Sequence, residues 1–310
     1  MPAFKRFFRR LYSRVSCDWL GWMAALCAAL IGSAWQIASR HGVTTALGPA
    51  EVAVMRYAVP ALLLAPVWWR MGAWPSGLSP WRCAFLVMCG GLPFGLVVLV
   101  GAQWAPVAHM GIFVAGSLPI FTALGGWVVT RDQPARSRGV GLVMIAVGMV
   151  VFGSEGWGAA GGAWRGDLLF LLAAAMWAAY SLAFRGAGLT AWQGAAIVNM
   201  GSALLLIPVL FGVGAPRLLL APWTDVAWQV FGQGVVAGLL GLVVYSFAIA
   251  RLGAARASLS AALVPLLTAI GGAWLLEEPM TGSLLVSIAL VVPGVAVAAG
   301  VLDLFRSKPA

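Results

Sequence analysis

The side chains in this sequence that could do chemistry are mostly neutral and aromatic, and they stand in apolar surroundings. Trp177 and Ser181 are four residues apart and share a helix face, with Tyr180 beside them. Trp35 and Gln36 occupy the matching place in the first half of the chain, and Tyr245, Ser246, Ser258, Ser260 and Thr268 add hydroxyls in the second. Such groups can hold a small molecule by stacking and hydrogen bonding. Ser and Thr can equally bridge packed helices or bond to their own i−4 carbonyls, so both readings stand. Catalysis within a membrane needs acid/base or metal groups, such as paired aspartates or an HEXXH helix, and the sequence has neither. A channel is disfavoured too, for want of a charged ring or filter-like loop.

The ionisable groups sharpen this picture. His41 falls in the first loop, whereas His109 lies in an apolar stretch. There it either bonds to a helix end or interfacial water, or serves as a substrate-carboxylate ligand or gate element. Arg56 lies inside an apolar segment, where a lone cation must reach headgroups, pair with Glu51 or meet substrate. Every Asp and Glu falls near a segment end or in a loop, including Glu51, Asp167, Asp225, Glu277 and Glu278. Proton or sodium coupling relies on buried carboxylates, so movement of substrate down its own gradient is expected. Cys17, Cys27, Cys83 and Cys89 lack metal-ligand or CxxC spacing and read as small apolar residues. No metal or cofactor is expected.

The elements that position these groups follow from composition. Of 310 residues, 62% are hydrophobic and 9% charged, which no solvated globule can accommodate; a bilayer must be the solvent. Segments of about 20 apolar residues, the length of a span, fall at 19–39, 50–70, 83–102, 107–130, 138–154, 166–185, 191–212, 227–250, 254–276 and 281–302. No Asp, Glu, Lys or Arg occurs between Arg82 and Arg131. As a single helix that stretch would measure about 72 Å, so two spans must turn near Gln103 to Pro106. The expected fold is therefore an all-α integral membrane protein of ten transmembrane helices. Fifteen of the 19 Lys and Arg fall on one side of that arrangement, leaving Arg40, Arg56, Arg165 and Arg217 on the other. The positive-inside rule then places both termini in the cytoplasm. Scattered in this way, the net charge of +10 reflects topology rather than nucleic-acid binding.

A shift of 146 residues aligns Gly95-Leu96-Val97-Val98 with Gly241-Leu242-Val243-Val244, and residues 119–126 with 265–272. Residues 95–126 and their partners share 12 identities in 32 positions, among them Pro119/Pro265, Thr122/Thr268 and a Gly-Gly pair. A duplication explains this better than apolar bias. Five helices per copy is an odd number, so the second copy enters the membrane from the opposite side and the repeats are inverted. The domains expected are a basic cytoplasmic tail at 1–18, five-helix repeats at 19–154 and 166–302, an extracytoplasmic linker at 155–165 and a tail at 303–310. Gly91 and Gly95 form a GxxxG pair, as do Gly234 and Gly238. With Gly90 and Pro93 they read as close helix packing or as a flexible point. Pro119 and Pro265 can kink equivalent helices and are plausible hinges.

The two five-helix halves, the P-x-x-T-A-x-G-G core of the fourth and ninth spans and the Glu277-Glu278-Pro279 ending resemble the EamA domain of the drug/metabolite transporter superfamily. The overall pattern is most similar to its aromatic amino acid exporters, with Leu118 where they carry an aromatic. The resemblance implies a multi-pass protein of a bacterial inner membrane that exports amino acids by alternating access. Their cavity would be lined mainly by spans 3, 4, 8 and 9, helped by spans 1 and 6. Export of drugs or other metabolites is the alternative, and a monomer suffices for either.

Overall fold

The computed structural model describes residues 2–72, 77–131, 135–158, 161–252 and 254–300. At 2–18, 129, 130, 156–158, 242, 254, 255 and 258 it describes the backbone alone. Ten longer helical stretches occur among the described residues, besides the short helices Pro216–Leu220 and Ala254–Ala257: α1 (Pro2–Thr44), α2 (Pro49–Leu63, continued as Ala65–Met71), α3 (Pro80–Trp104), α4 (Val107–Thr130), α5 (Arg136–Gly158), α6 (Ala163–Arg185), α7 (Ala191–Val213), α8 (Trp223–Leu252), α9 (Ser258–Leu275) and α10 (Gly282–Ala298). Residues 2–18, expected as a tail, continue α1 as helix, and the tail expected at 303–310 lies outside the described residues.

Seven of these helices are long and apolar enough to cross a membrane, and an eighth span arises if α2 and its continuation, bent by 55°, count as one. The break at Leu64 follows from Pro60 inside the helix and the second proline at the start of the continuation. The stretches expected as spans nine and ten are shorter apolar helices. The 17 residues of α10 rise about 26 Å, a little under a typical hydrocarbon core.

Local chemistry sets the ends of the helices. Proline occupies the first turn of α2 and α3. Thr190 and Gln193 cap α7 reciprocally, and Thr281 Oγ1 accepts from the Leu284 amide at the start of α10. The contacts repeat with the duplication. α1 packs on α8 and α9, and α6 packs on α3 and α4. α2 pairs with α7, α4 with α9 and α5 with α10. Exchanging the two sets of five helices therefore maps these contacts onto themselves.

Four helices depart from regular α geometry near the duplicated prolines and glycines, α8 among them through its π-helical segment Val230–Leu240. α3 breaks at Gly91 between Pro80–Gly90 and Leu92–Trp104. α4 runs through a π-helical segment, Gly111–Gly116, before Pro119 restarts it as Leu118–Thr130. α9 begins with the 3-10 segment Ser258–Leu263 and continues regularly from Val264, with Pro265 in its first turn. Both prolines thus sit at restarts rather than in mid-helix kinks, where the missing N–H is harmless.

Candidate functional site

A stack of aromatic rings crosses the middle of the bundle. Phe94 of α3 lies 6.3 Å from Trp35 of α1 and 5.1 Å from Trp177 of α6, centroid to centroid. The stack continues along α6 to Tyr180 at 5.0 Å and Phe184 at 5.7 Å. These separations and tilts are those of favourable aromatic pairs. Trp35 also lines an apolar cavity of about 740 Å³ between α1, α8 and α9. Counting at 1.5 Å per residue from their helix ends, Trp35 and Phe94 lie about 13–15 Å deep, half the thickness of a hydrocarbon core.

The break in α3 is what aims Phe94. Two side chains bind main-chain groups there: Tyr57 Oη of α2 donates to the Gly91 carbonyl at 2.7 Å, beside that carbonyl's bond from the Gly95 amide, and Ser202 Oγ of α7 accepts from the Leu92 amide at 2.8 Å. Gly90 lets the Tyr180 ring lie against the backbone, since a Cβ there would fall 2.6 Å from it. Non-helical backbone at this depth is tolerated because neighbouring helices satisfy it.

Arg56 of α2 turns inward. Its guanidinium carbon lies 5.0 Å from the centroid of the Trp35 ring, and Nη1 makes a long 3.5 Å contact to the Gln233 carbonyl of α8. The pairing with Glu51 anticipated from sequence does not form. Glu51 instead caps its own helix through the Gly48 amide at 3.0 Å and accepts from the Arg217 amide at 3.2 Å. Other buried polar pairs between helices join amides to hydroxyls. Gln36 Oε1 accepts from Thr268 Oγ1 at 3.1 Å, and Gln233 Nε2 donates to Ser39 Oγ at 3.0 Å. The Oε1 atoms of Gln229 and Gln233 are buried without a donor.

One end of the bundle is sealed by charged groups. Arg40 at the end of α1 pairs with Glu278 at 3.1 Å and donates to the Ala102 carbonyl of α3, while Glu278 accepts from the Val107 amide of α4 at 2.7 Å. At the same end His109 Nδ1 lies 2.7 Å from Asp167 Oδ1 of α6, with the His109 ring 4.2 Å from that of Phe152. Asp167 is 5% exposed and its Oδ2 has no partner. The carboxylates expected at helix ends do sit there, but Asp167 and Glu278 are enclosed by other helices rather than solvated.

Several sequence candidates lie elsewhere or are engaged locally. Ser181 Oγ donates to the Trp177 carbonyl and Ser260 Oγ to the Ala257 carbonyl, the bonding of a hydroxyl to its own helix. Tyr245 is exposed on α8 and Ser246 is partly buried; neither joins the ring stack. The side chain of Ser258 lies outside the described residues. The wall draws on α1, α3 and α6 more than on α4 and α9. Sequence reasoning passed over Phe94 and left Arg56 open between headgroups, Glu51 and substrate, although Phe94 directly follows the Gly-Gly-Leu-Pro break.

The sequence model of the EamA-like transporter family matches residues 19–154 and again residues 164–300. The chain belongs to the EamA-like transporter family. EamA proteins, part of the drug/metabolite transporter superfamily, are membrane transporters of small molecules, so the buried wall belongs to a carrier. Among solved structures, 24 chains match this EamA protein. One, described only as "Crystal structure of protein", superposes with a TM-score of 0.59 at 20% identity. The match covers 95% of this chain and 99% of that one, and shows a shared fold. No curated protein matches the sequence.

Proposed function

We propose that this EamA protein exports amino acids, aromatic and other neutral ones, across a bacterial inner membrane by alternating access. The observation that carries this reading is the stack of Trp35, Phe94 and Trp177 at mid-depth, flanked by Gln36 and Gln233. Flat apolar faces with neutral hydrogen-bonding groups suit zwitterions with varied side chains, and the site lacks the several cations a phosphate-bearing substrate needs. The contacts that repeat when the two sets of five helices are exchanged support ten spans in two inverted repeats, with the substrate held at the repeat interface. With both termini cytoplasmic, the Arg40 end faces outward and the conformation is closed on that side. A monomer contains the whole site.

Transport proceeds without proton or sodium coupling in this reading, since the aromatic wall holds no carboxylate among the described residues. The buried His109–Asp167 pair is the feature that favours the second reading, coupling to protons. Uptake of labelled phenylalanine, tryptophan, leucine and lysine into proteoliposomes tests both. Saturable uptake of the neutral amino acids that survives collapse of proton and sodium gradients is expected. Abolition by proton collapse alone would establish the coupled mechanism, and no uptake of any amino acid would move the substrate to drugs or other metabolites.

A further inference from the structure

Arg56 raises a question that the aromatic wall does not answer. A half-buried cation inside a membrane-spanning helix is costly and ordinarily sits beside an anion or a water-filled path. About 10 Å along α2 from its start, Arg56 finds the Trp35 face, the neutral Tyr57 hydroxyl and one distant carbonyl. Among the described residues no carboxylate pairs with it: Glu51 is taken by the Gly48 and Arg217 amides, Asp167 by His109 and Glu278 by Arg40. The guanidinium thus keeps a planar fork of donors that meets only the neutral Tyr57 hydroxyl and one long carbonyl contact.

A second, independent feature stands on α8, the helix whose carbonyl meets Arg56. Gln233, the residue whose main-chain carbonyl meets Arg56, is fully buried, and its Oε1 accepts nothing while its Nε2 is held by Ser39. Gln229, one turn earlier on α8, is in the same condition: its Nε2 donates to the Ala38 carbonyl at 2.8 Å and its Oε1 is unpartnered. A site that offers one unneutralised cation, orphaned neutral acceptors and an aromatic wall has a defined complement.

We propose that Arg56 binds the carboxylate of the substrate, so that the carrier requires an apolar carboxylate and tolerates the loss of the amino group. The proposal rests on the transporter reading of the same wall and narrows its substrate class. A carboxylate bound in two-point fashion neutralises the guanidinium where water is excluded. The ammonium of an amino acid meets only neutral amide oxygens, with no charge opposite it, and contributes less. The substrate ring stacks on Trp35 and Phe94. Amino acids and their deaminated acids are then accepted, and decarboxylated amines are rejected.

Competition against labelled phenylalanine counterflow in proteoliposomes separates the two ends of the molecule. The wild-type protein should be inhibited by 3-phenylpropionate at concentrations within about tenfold of phenylalanine itself, while phenethylamine should fail at about 100-fold excess, the discrimination expected when a charged hydrogen bond is lost. Arg56→Gln should lose phenylalanine counterflow together with thermal stabilisation by 3-phenylpropionate, and Arg56→Lys should keep part of both. Inhibition by phenethylamine equal to that by the acid would overturn the proposal while leaving amino acid transport standing. If phenylalanine is not transported at all, the amino acid reading fails, and thermal stabilisation of the detergent-solubilised protein decides the proposal separately. There, stabilisation by 3-phenylpropionate but not phenethylamine supports the carboxylate site, and equal or absent stabilisation overturns it. The wild-type comparisons need no variant, so misfolding of Arg56→Gln would not blunt the test.

Discussion

Gly91→Ala is expected to lower stability by about 1–3 kcal/mol, the usual cost of overpacking, and to reduce transport more than tenfold. A Cβ at Gly91 would fall 2.5 Å from the Val87 carbonyl, a main-chain atom of the same helix that cannot rotate aside, and would also strike Ser202 Oγ. Ser202 is the acceptor for the Leu92 amide, and Gly91 itself is the acceptor for Tyr57. Relief of the clash therefore costs one or both of the hydrogen bonds that hold the break in α3, and Phe94 follows three residues later. Loss of its position removes the ring linking Trp35 to Trp177. Gly212→Ala is the control, because a Cβ there meets nothing within 4 Å. Thermal unfolding in detergent and counterflow rates, read together, check the prediction. Equal behaviour of the two variants would mean that the break does not position the site.

The second large effect concerns the sealed end. Arg40→Gln or Glu278→Gln leaves the remaining charge enclosed without its partner, and breaking a buried pair in this way costs about 3–5 kcal/mol. The cost is borne only by the conformation in which α1, α3, α4 and α9 converge, so the closed end opens more often. A thiol placed at the buried Ala105, in a protein whose natural cysteines are replaced, reports this through an impermeant maleimide. Labelling should speed up on the order of 100-fold, the population change equivalent to about 3 kcal/mol. The charge-swapped double variant, Arg40→Glu with Glu278→Arg, should not restore closure. Glutamate at 40 cannot donate to the Ala102 carbonyl, and arginine at 278 cannot accept from the Val107 amide. Restoration by the swap would reduce the latch to a simple ion pair.

Helix positions were legible in the sequence because the bilayer imposes one length on every apolar run, and the duplication showed in Pro119/Pro265 and the Gly-Gly pairs. Orientation of individual side chains was not legible. Arg56 was left open between headgroups, Glu51 and substrate because its position along α2 says nothing about which face carries it; contact with Trp35 and Gln233 decides that, and Gln233 is 177 residues away. Asp167 and Glu278 were legible only as standing near helix ends. Their burial comes from partners 58 and 238 residues distant. Trp35 and Trp177, named from helical spacing and the repeat, both lie in the ring stack. Phe94 was missed because its neighbours in sequence suggested packing, while its aromatic neighbours are on α1 and α6.

The most direct test of the account is counterflow of labelled phenylalanine into proteoliposomes, comparing the wild-type protein with Trp177→Ala. Loss of one face of the stack should leave the protein folded and raise the half-saturating concentration by about tenfold, the equivalent of roughly one strong aromatic contact, with little change in maximal rate. Saturable counterflow that is identical in the two proteins would contradict the claim that substrate is held at the aromatic wall.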